Sequence, residues 1–362
     1  MELEAVLGRE ELAAVRLRAL YRKYGYLRYK MNKFEEYDFY ARNKDFLVSE
    51  DIITFTDTNG KLMALKPDVT LSIIKNFRPQ PGCVQKVYYE ENVYRISEGT
   101  HSFKEILQAG LECLGDVGIY DICEVLLMAA QSLSEIAENW SLAISHLGLL
   151  SGVMDRCGVP QSLRPQLMNA LHRRNSRELS ALCADRCPGA AVLLSEICSL
   201  YLPLKEGIRK LETLCPDQQA ALAELKAVAE TVDAPLYLDF SIAGSMEYYS
   251  GIAFNGFVEG LPGSVLSGGA YNNLLRKMGK NGGGVGFAVY LDQFERYGKA
   301  ERDYDVDVLL LCPEDAEPAR IAEAVRSLTE AGETVLAQRS KPEHIRCRRV
   351  LTLDGKDGAD LA

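Results

Sequence analysis

The chain has 362 residues, of which 47% are hydrophobic and 25% charged, and its formal net charge is −10. The length allows two or three domains of an ordinary globular protein, and the acidic balance disfavours a general nucleic-acid binder, so we expect no nucleic-acid partner. No apolar run approaches the roughly 18 residues of a membrane span, and the acidic N-terminus lacks a signal-peptide pattern. We therefore expect a cytoplasmic protein with no membrane partner.

The first third of the chain predicts an antiparallel sheet with a few helices. Residues 10–24 have the spacing of an amphipathic helix, and Asn59-Gly60 lies between two short apolar runs, which is a strong hairpin signal. Residues 86–95 and 105–115 follow as two strand-like segments about nine residues apart. Next, 117–140 has a helical pattern.

The middle of the chain changes from sheet to helix and back again. The run WSLAISHLGLL is interpreted as a strand, and residues 150–232 are almost wholly helical in pattern. Strand patterns return at LYLDFSI, IAFNGFVEG and GVGFAVYL. This order favours an α+β fold in which a helical insertion divides a sheet domain.

After Arg302 the pattern becomes strand, helix, strand, as expected of a small α/β unit. The predicted domains are a sheet core in two parts with an insertion between them, followed by a short α/β domain. Their predicted bounds are 1–149, 150–232, 233–300 and 303–362.

Three stretches carry polar side chains that could form a pocket. On a strand, Gln108 and Glu112 share one face with Gly110 between them, which suits an ammonium or imidazolium group. Asp68 and Thr70 are two apart in LKPDVT and could accept from an α-amino group. The simpler alternatives are a solvated strand face for the first pair and an ordinary turn for the second.

The third stretch, SMEYYSGIAFNGF, places Tyr248 and Tyr249 beside an acid, as in the wall of a polar pocket. The four histidines are isolated, and neither GxSxG nor HExxH occurs, so no hydrolase, kinase or dehydrogenase is indicated. The closest cysteines, Cys183 and Cys187, have no second pair at zinc-ligand spacing. We therefore predict no metal, no cofactor and no catalytic residue.

Five motifs in order resemble those of histidyl-tRNA synthetases and their paralogues. LKPDVT looks like their LRPEGT or LRPDxT element, and VYYEENVYRISEGTHSFKEILQAGLECLG resembles motif 2. AGSMEYYSGIAF resembles RGLDYYTGxxF, LSGGAYNNLLRKMG resembles GGGRYDGLxxxxG, and GVGFAVYLDQF resembles the motif 3 strand. The resemblance covers residues 10–300 and implies a class II aminoacyl-tRNA synthetase-like antiparallel sheet. The final α/β unit resembles a truncated anticodon-binding domain.

The departures from these motifs fall on residues that the family uses for ATP. Gly244, Ala270 and Gln293 stand where the resemblance expects arginines. In the motif 2 loop Arg95 is kept, and its basic partners are replaced by Glu98, Ser102 and Lys104. Because such arginines stabilise the charge of a transferring adenylate, their loss implies a protein without the synthetase activity.

The amino-acid half of the implied site is retained. The residues that the resemblance assigns to histidine binding are Asp68, Thr70, Arg95, Gln108, Glu112, Tyr248 and Tyr249. This combination resembles the regulatory subunit of short-form ATP phosphoribosyltransferase, the first enzyme of histidine biosynthesis. The resemblance implies a homodimer core, a separate catalytic subunit as partner, a hetero-octamer and inhibition by L-histidine. The alternatives are a paralogue that senses or ligates another amino acid, and a diverged histidyl-tRNA synthetase.

Overall fold

The structure is a computed structural model that describes residues 7–44, 47, 52–96, 102–184, 186–242, 248–294 and 304–353. The chain divides into two compact units, Met1–Tyr297 and Gly298–Ala362. Among the helices of the described ranges, none is long and apolar enough to cross a bilayer.

The first unit is built on a nine-stranded mixed sheet flanked by helices. The strands of this unit, which form the large sheet and a second small one, are β1 Leu27–Arg28, β2 Phe34–Glu36, β3 Thr54–Thr56, β4 Leu62–Leu65, β5 Val84–Ile96, β6 Phe103–Gly115, β7 Trp140–His146, β8 Tyr201–Pro203, β9 Leu236–Asp239, β10 Ile252–Val258, β11 Leu266–Ala270 and β12 Gly283–Tyr290. The order in the large sheet is β1-β5-β6-β12-β11-β10-β7-β9-β8, with parallel pairing only for β1–β5 and β7–β9 among the described strands. A small antiparallel sheet has the order β2-β4-β3.

The helices of this unit are α1 Arg9–Lys23, α2 Tyr37–Ala41, α3 Thr70–Asn76, α4 Ile119–Ile136, α5 Leu147–Arg156, α6 Arg164–His172, α7 Ser176–Cys183, α8 Pro188–Cys198, α9 Leu204–Leu214, α10 Gln219–Thr231 and α11 Asn272–Lys277. Helix α4 begins at a cap in which the Asp121 carboxylate accepts from the Gly118 amide at 2.9 Å. Its buried face, including Val125, Leu126 and Met128, belongs to the same apolar core as Leu111 of β6. The core thus covers the sheet face opposite to the polar residues of β6.

Most predicted elements of this unit are confirmed, and two predicted strands are wrong in part. The run LYLDFSI is a strand only as far as Asp239, after which Phe240–Ile242 form a turn of 3-10 helix. The hairpin at Asn59-Gly60 joins β3 to β4, and β5 and β6 pair antiparallel along their whole length. The run WSLAISHLGLL is a strand only as far as His146. There the imidazole Nδ1 accepts from the Leu149 amide at 3.1 Å, which caps α5 and turns the last four residues into helix.

The second unit contains β13 Val306–Leu311, α12 Pro318–Glu330, β14 Val335–Gln338 and β15 Cys347–Thr352. The three strands form a parallel sheet in the order β14-β13-β15. The predicted strand–helix–strand succession is present, and β15 is an addition to it. The predicted bounds of the insertion and of the two core parts stay a prediction.

Candidate ligand-binding site

A cavity of about 390 Å³ opens on the face of the large sheet formed by β6, β11 and β12. All seven residues predicted for the site line it: Asp68, Thr70, Arg95, Gln108, Glu112, Tyr248 and Tyr249. The sequence analysis did not assign Tyr89, Ser267, Tyr271, Gly286 and Tyr290, which also line it. The structure therefore brings together three stretches that are far apart in the chain.

Strand β6 supplies two of the polar groups. Gln108 is 3% exposed and Glu112 2% exposed, while Ala109, Leu111 and Cys113 lie in the apolar core on the other face. The alternation predicted for this strand is confirmed, and the solvated-face alternative is wrong because both polar side chains are buried.

The Glu112 carboxylate is held at both oxygens. The Thr70 hydroxyl donates to Oε1 at 2.6 Å, and the Tyr271 hydroxyl donates to Oε2. Gly286 lies opposite Glu112 in the β6–β12 register, and a Cβ there would overlap Oε2 and the backbone oxygen of Leu111. The close approach of the carboxylate to this strand therefore requires glycine.

Burial controls the charge of both carboxyl groups in the cavity. It raises the pKa of Glu112 to about 8, against the lowering effect of the two hydroxyl donors. It also raises the pKa of Asp68, which the backbone amides of Leu71 and Thr70 and the charge of Arg95 oppose. Two buried carboxyls with raised pKa values would gain from a cationic ligand, because a positive charge nearby favours their ionised forms.

Hydrogen-bond donors lie in the same cavity. Nε of Arg95 donates to the backbone oxygen of Pro67 at 3.2 Å, and its guanidinium also bonds Tyr290. Nε2 of Gln108 is buried and has no hydrogen-bond partner among the residues that the structure describes. A buried amide donor without an acceptor is costly, so this group fits a ligand that supplies one.

Tyrosine rings form the remaining wall. Tyr248 and Tyr249 meet edge to face with centroids 4.7 Å apart, and Tyr271 is tilted against Tyr248 at 6.2 Å. Tyr249 packs on Gly269, where a Cβ would lie 2.7 Å from its Cδ1 atom. Burial raises the pKa of all three phenols, so their hydroxyls stay neutral. The wall is therefore flat, aromatic and able to hydrogen-bond.

The arrangement is suited to a small zwitterion. Carboxyl groups at Asp68 and Glu112 accept from a cationic nitrogen, Arg95 offers a donor to an anionic oxygen, and the side-chain amide of Gln108 can pair with a further polar group of the ligand. The cavity has about the size of an amino acid and its side chain, at the lower end of ligand pockets. Within the described ranges, no three His, Cys, Asp or Glu side chains come together as a set that could hold a metal ion.

Of the three positions outside the motif 2 loop at which the resemblance expects an arginine, two are described. Ala270 is buried at the end of β11. Gln293 donates through Nε2 to the Ser264 backbone oxygen at 3.2 Å and is not among the cavity-lining residues. Gly244 lies outside the described residues.

Comparison with known proteins places the chain in one family. The histidyl-tRNA synthetase family model matches residues 3–294. The chain belongs to the histidyl-tRNA synthetase family. Within it, an ATP phosphoribosyltransferase regulatory subunit from Clostridium kluyveri is 28% identical over 294 residues, which are 76% of this chain and 74% of that protein. One of the same name from Bacillus cereus is 25% identical over 329 residues, or 86% and 77% of the two chains.

Solved structures share the fold. An ATP phosphoribosyltransferase regulatory subunit/histidyl-tRNA synthetase from Bacillus halodurans C matches with a TM-score of 0.73 at 21% identity, over 91% of this chain and 88% of that one. A chain of the ATP phosphoribosyl transferase (HisG:HisZ) complex from Thermotoga maritima matches with a TM-score of 0.62 at 20% identity, over 78% and 97%. These matches confirm the predicted synthetase-like α+β fold.

Proposed function

We propose that this chain is the non-catalytic regulatory subunit of a short-form ATP phosphoribosyltransferase. The relatives that are 25–28% identical carry that name, and the match with this chain spans about three quarters of their length. The observation that carries the proposal is the cavity itself, which groups buried carboxyls, one guanidinium and tyrosines for an amino acid. It is the site of a sensor rather than of an ATP-dependent ligase.

L-histidine is the ligand that these groups fit. In our proposal Asp68, Gln108 and Glu112 hold its nitrogen groups, while Tyr248 or Tyr249 lies beside the ring. Arg95 supplies a cation for the carboxylate, and Thr70 orients Glu112 through the 2.6 Å hydrogen bond. Charge-assisted contacts of this kind contribute about 1.5–3 kcal/mol each when buried.

Activation of histidine with ATP is not expected of this chain. The resemblance places Gly244, Ala270 and Gln293 where the synthetases carry arginines. Removing even one preorganised donor from such a site typically costs 10²–10³ in rate, so losing several leaves no useful ligase.

The proposed subunit acts through a partner. We expect a homodimer core that joins separate catalytic subunits, as a hetero-octamer, and carries the inhibition by L-histidine to them. A cytoplasmic location without a nucleic-acid partner stays part of the same prediction.

Two experiments test the proposal. The purified chain, mixed with a short-form catalytic subunit, should co-elute with it from a size-exclusion column at micromolar concentration; two separate peaks would refute the assembly. Histidine-dependent exchange of pyrophosphate into ATP should not exceed that of a heat-inactivated control. Exchange above it would favour the diverged synthetase, which the family match keeps as the second candidate.

A further inference from the structure

A buried lysine lies just outside the cavity. Lys66, in the LKPDVT motif, is 1% exposed, and its Nζ forms an ion pair with Oε2 of Glu91 on β5. Neither residue lines the cavity. A buried ion pair contributes little net stability compared with well-packed apolar side chains, so stability alone does not account for this one.

Glu91 lies on the face of β5 that borders the cavity. Side chains alternate along a strand, so Glu91 points to the same side as Tyr89 and Arg95, which both line the cavity. The β5–β6 register places Glu91 directly opposite Gln108. The Cβ atoms of such a cross-strand pair are about 4.5–5.5 Å apart, so a carboxylate and an amide at these two positions can reach each other.

The Gln108 amide nevertheless does not donate to this carboxylate. Oε2 of Glu91 accepts from Nζ of Lys66, and Oε1 accepts from the Met31 amide at 3.4 Å. Nε2 of Gln108 is buried and has no hydrogen-bond partner in the part of the chain that the structure describes. A buried amide donor normally pairs with an acceptor within its reach. The ion pair with Lys66 therefore keeps the Glu91 carboxylate away from Gln108.

The backbone around Lys66 is held without the help of its side chain. The Lys66 amide donates to the Lys33 oxygen at 3.1 Å, and the Lys66 oxygen accepts from the Tyr94 amide at 2.9 Å. Loss of the ammonium group would therefore leave the backbone that leads to Asp68 in place. The effect of that loss would fall on Glu91.

We infer that Lys66 is a positioning residue for ligand binding, because it holds the Glu91 carboxylate away from Gln108 and leaves the Gln108 amide available to L-histidine. The inference rests on the function proposed above, in which Gln108 contacts the ligand. Without the ammonium group, Glu91 would accept from Nε2 of Gln108, and L-histidine would have to displace that hydrogen bond in order to bind. The ion pair thus sets the affinity of the cavity without lining it.

The test is isothermal titration of the full-length chain with L-histidine. Lys66→Met removes the ammonium group and nearly keeps the volume of the side chain. We expect it to weaken binding on the order of tenfold, which corresponds to the loss of about one hydrogen bond to a charged group. Lys66→Arg keeps the cation and should bind within about threefold of the wild type. Unchanged or tighter binding in Lys66→Met would overturn the inference.

Two double variants separate this role from a merely structural one. Lys66→Met/Glu91→Met and Lys66→Met/Glu91→Gln both remove the carboxylate that would be left buried without a cation. Only the glutamine retains an oxygen that can accept from Gln108. We therefore expect the first double variant to recover most of the affinity and the second to stay weak. Equal affinities in the two would mean that Lys66 acts only by neutralising a charge, and would overturn the inference.

The matched control is Lys86→Met. Lys86 of β5 also pairs with a buried carboxylate, that of Glu124 at 2.7 Å, and neither residue lines the cavity. This variant should have a lower melting temperature and should bind L-histidine within about twofold of the wild type. Weakening as large as in Lys66→Met would show a general effect of losing a buried ion pair, and would contradict the inference.

The outcomes for the two proposals differ. If the wild-type chain does not bind L-histidine, the proposed ligand is wrong and the inference fails with it. If the wild type binds and neither Lys66→Met nor Lys66→Met/Glu91→Gln weakens binding, only the inference fails. If Lys66→Met does not fold, the comparison of the two double variants with the wild type decides in the same way.

Discussion

The charge state of Glu112 should make L-histidine binding depend on pH. Its pKa of about 8 means that at pH 7 about nine tenths of the ligand-free molecules carry it protonated. A protonated carboxyl is a poor partner for a cationic nitrogen, so binding has to release this proton. The affinity should therefore rise as the pH is raised from 6.5 to 8.

The magnitude follows from the same pKa. With one proton released, the dissociation constant falls by up to tenfold per pH unit below 8, and by about eightfold between pH 6.5 and 7.5. Glu112→Gln cannot ionise and should lose this contribution. At pH 8 it should also bind roughly tenfold to a hundredfold more weakly, because one charge-assisted hydrogen bond is replaced by a neutral one.

The assay is isothermal titration with L-histidine at pH 6.5, 7.0, 7.5 and 8.0, in two buffers that differ in ionisation enthalpy. The imidazole of the ligand titrates in the same range, but it does so for both proteins. The difference between wild type and Glu112→Gln therefore isolates the protein carboxyl. An identical pH profile in the two proteins would refute the reasoning, as would unchanged affinity in Glu112→Gln at pH 8.

Three further predictions concern the surroundings of this carboxylate. Gly286→Ala places a methyl group on Oε2 of Glu112 and on the Leu111 oxygen, so it should abolish measurable histidine binding in titration and lower the melting temperature. Tyr271→Phe removes a donor to Glu112, which raises the pKa of Glu112 further and should move the pH dependence of binding to higher pH. Since the pKa of Glu112 is about 8 when folded and about 4.5 when unfolded, its protonated form favours folding, and this contribution is lost as the pH rises from 4.5 through 8. Glu112→Gln has no such proton to lose, so its free energy of unfolding in urea should increase relative to that of the wild type by about 3–5 kcal/mol between pH 5 and 8.5. A difference between the two proteins that does not change with pH would contradict the assigned pKa.

The strands beneath the site could be predicted because their residues alternate. On β6, small and apolar residues at 109, 111 and 113 alternate with Gln108 and Glu112, and that pattern alone fixed which face carries polar groups. The same alternation on β12, where Gly286, Ala288 and Tyr290 share a face, would have found Tyr290. That the seven residues lie in one site could be predicted only from the family motifs, since no spacing rule relates residue 68 to residue 248. Their role in histidine binding stays a prediction.

Other features depend on packing that a single sequence does not reveal. The strand β11 was not predicted because the residues of LSGGA are small and rich in glycine, so their intrinsic strand propensity is low. The strand forms because it pairs with β10 on one side and β12 on the other. Tyr271 reaches Glu112 across 159 positions in the chain. The contacts of Arg174 with Asp239 and Tyr201 likewise join the helical region to the sheet. Long-range polar contacts of this kind leave no local pattern.

The most direct test of the central claim is the activity of a short-form catalytic subunit, reconstituted with this chain and titrated with L-histidine. We predict that the catalytic subunit is far less active alone, that adding this chain activates it, and that L-histidine then inhibits the complex. With Glu112→Gln in the complex, inhibition should require roughly tenfold to a hundredfold more L-histidine at pH 8. A catalytic subunit that ignores this chain, or a complex whose inhibition by histidine is the same with Glu112→Gln, would contradict the account.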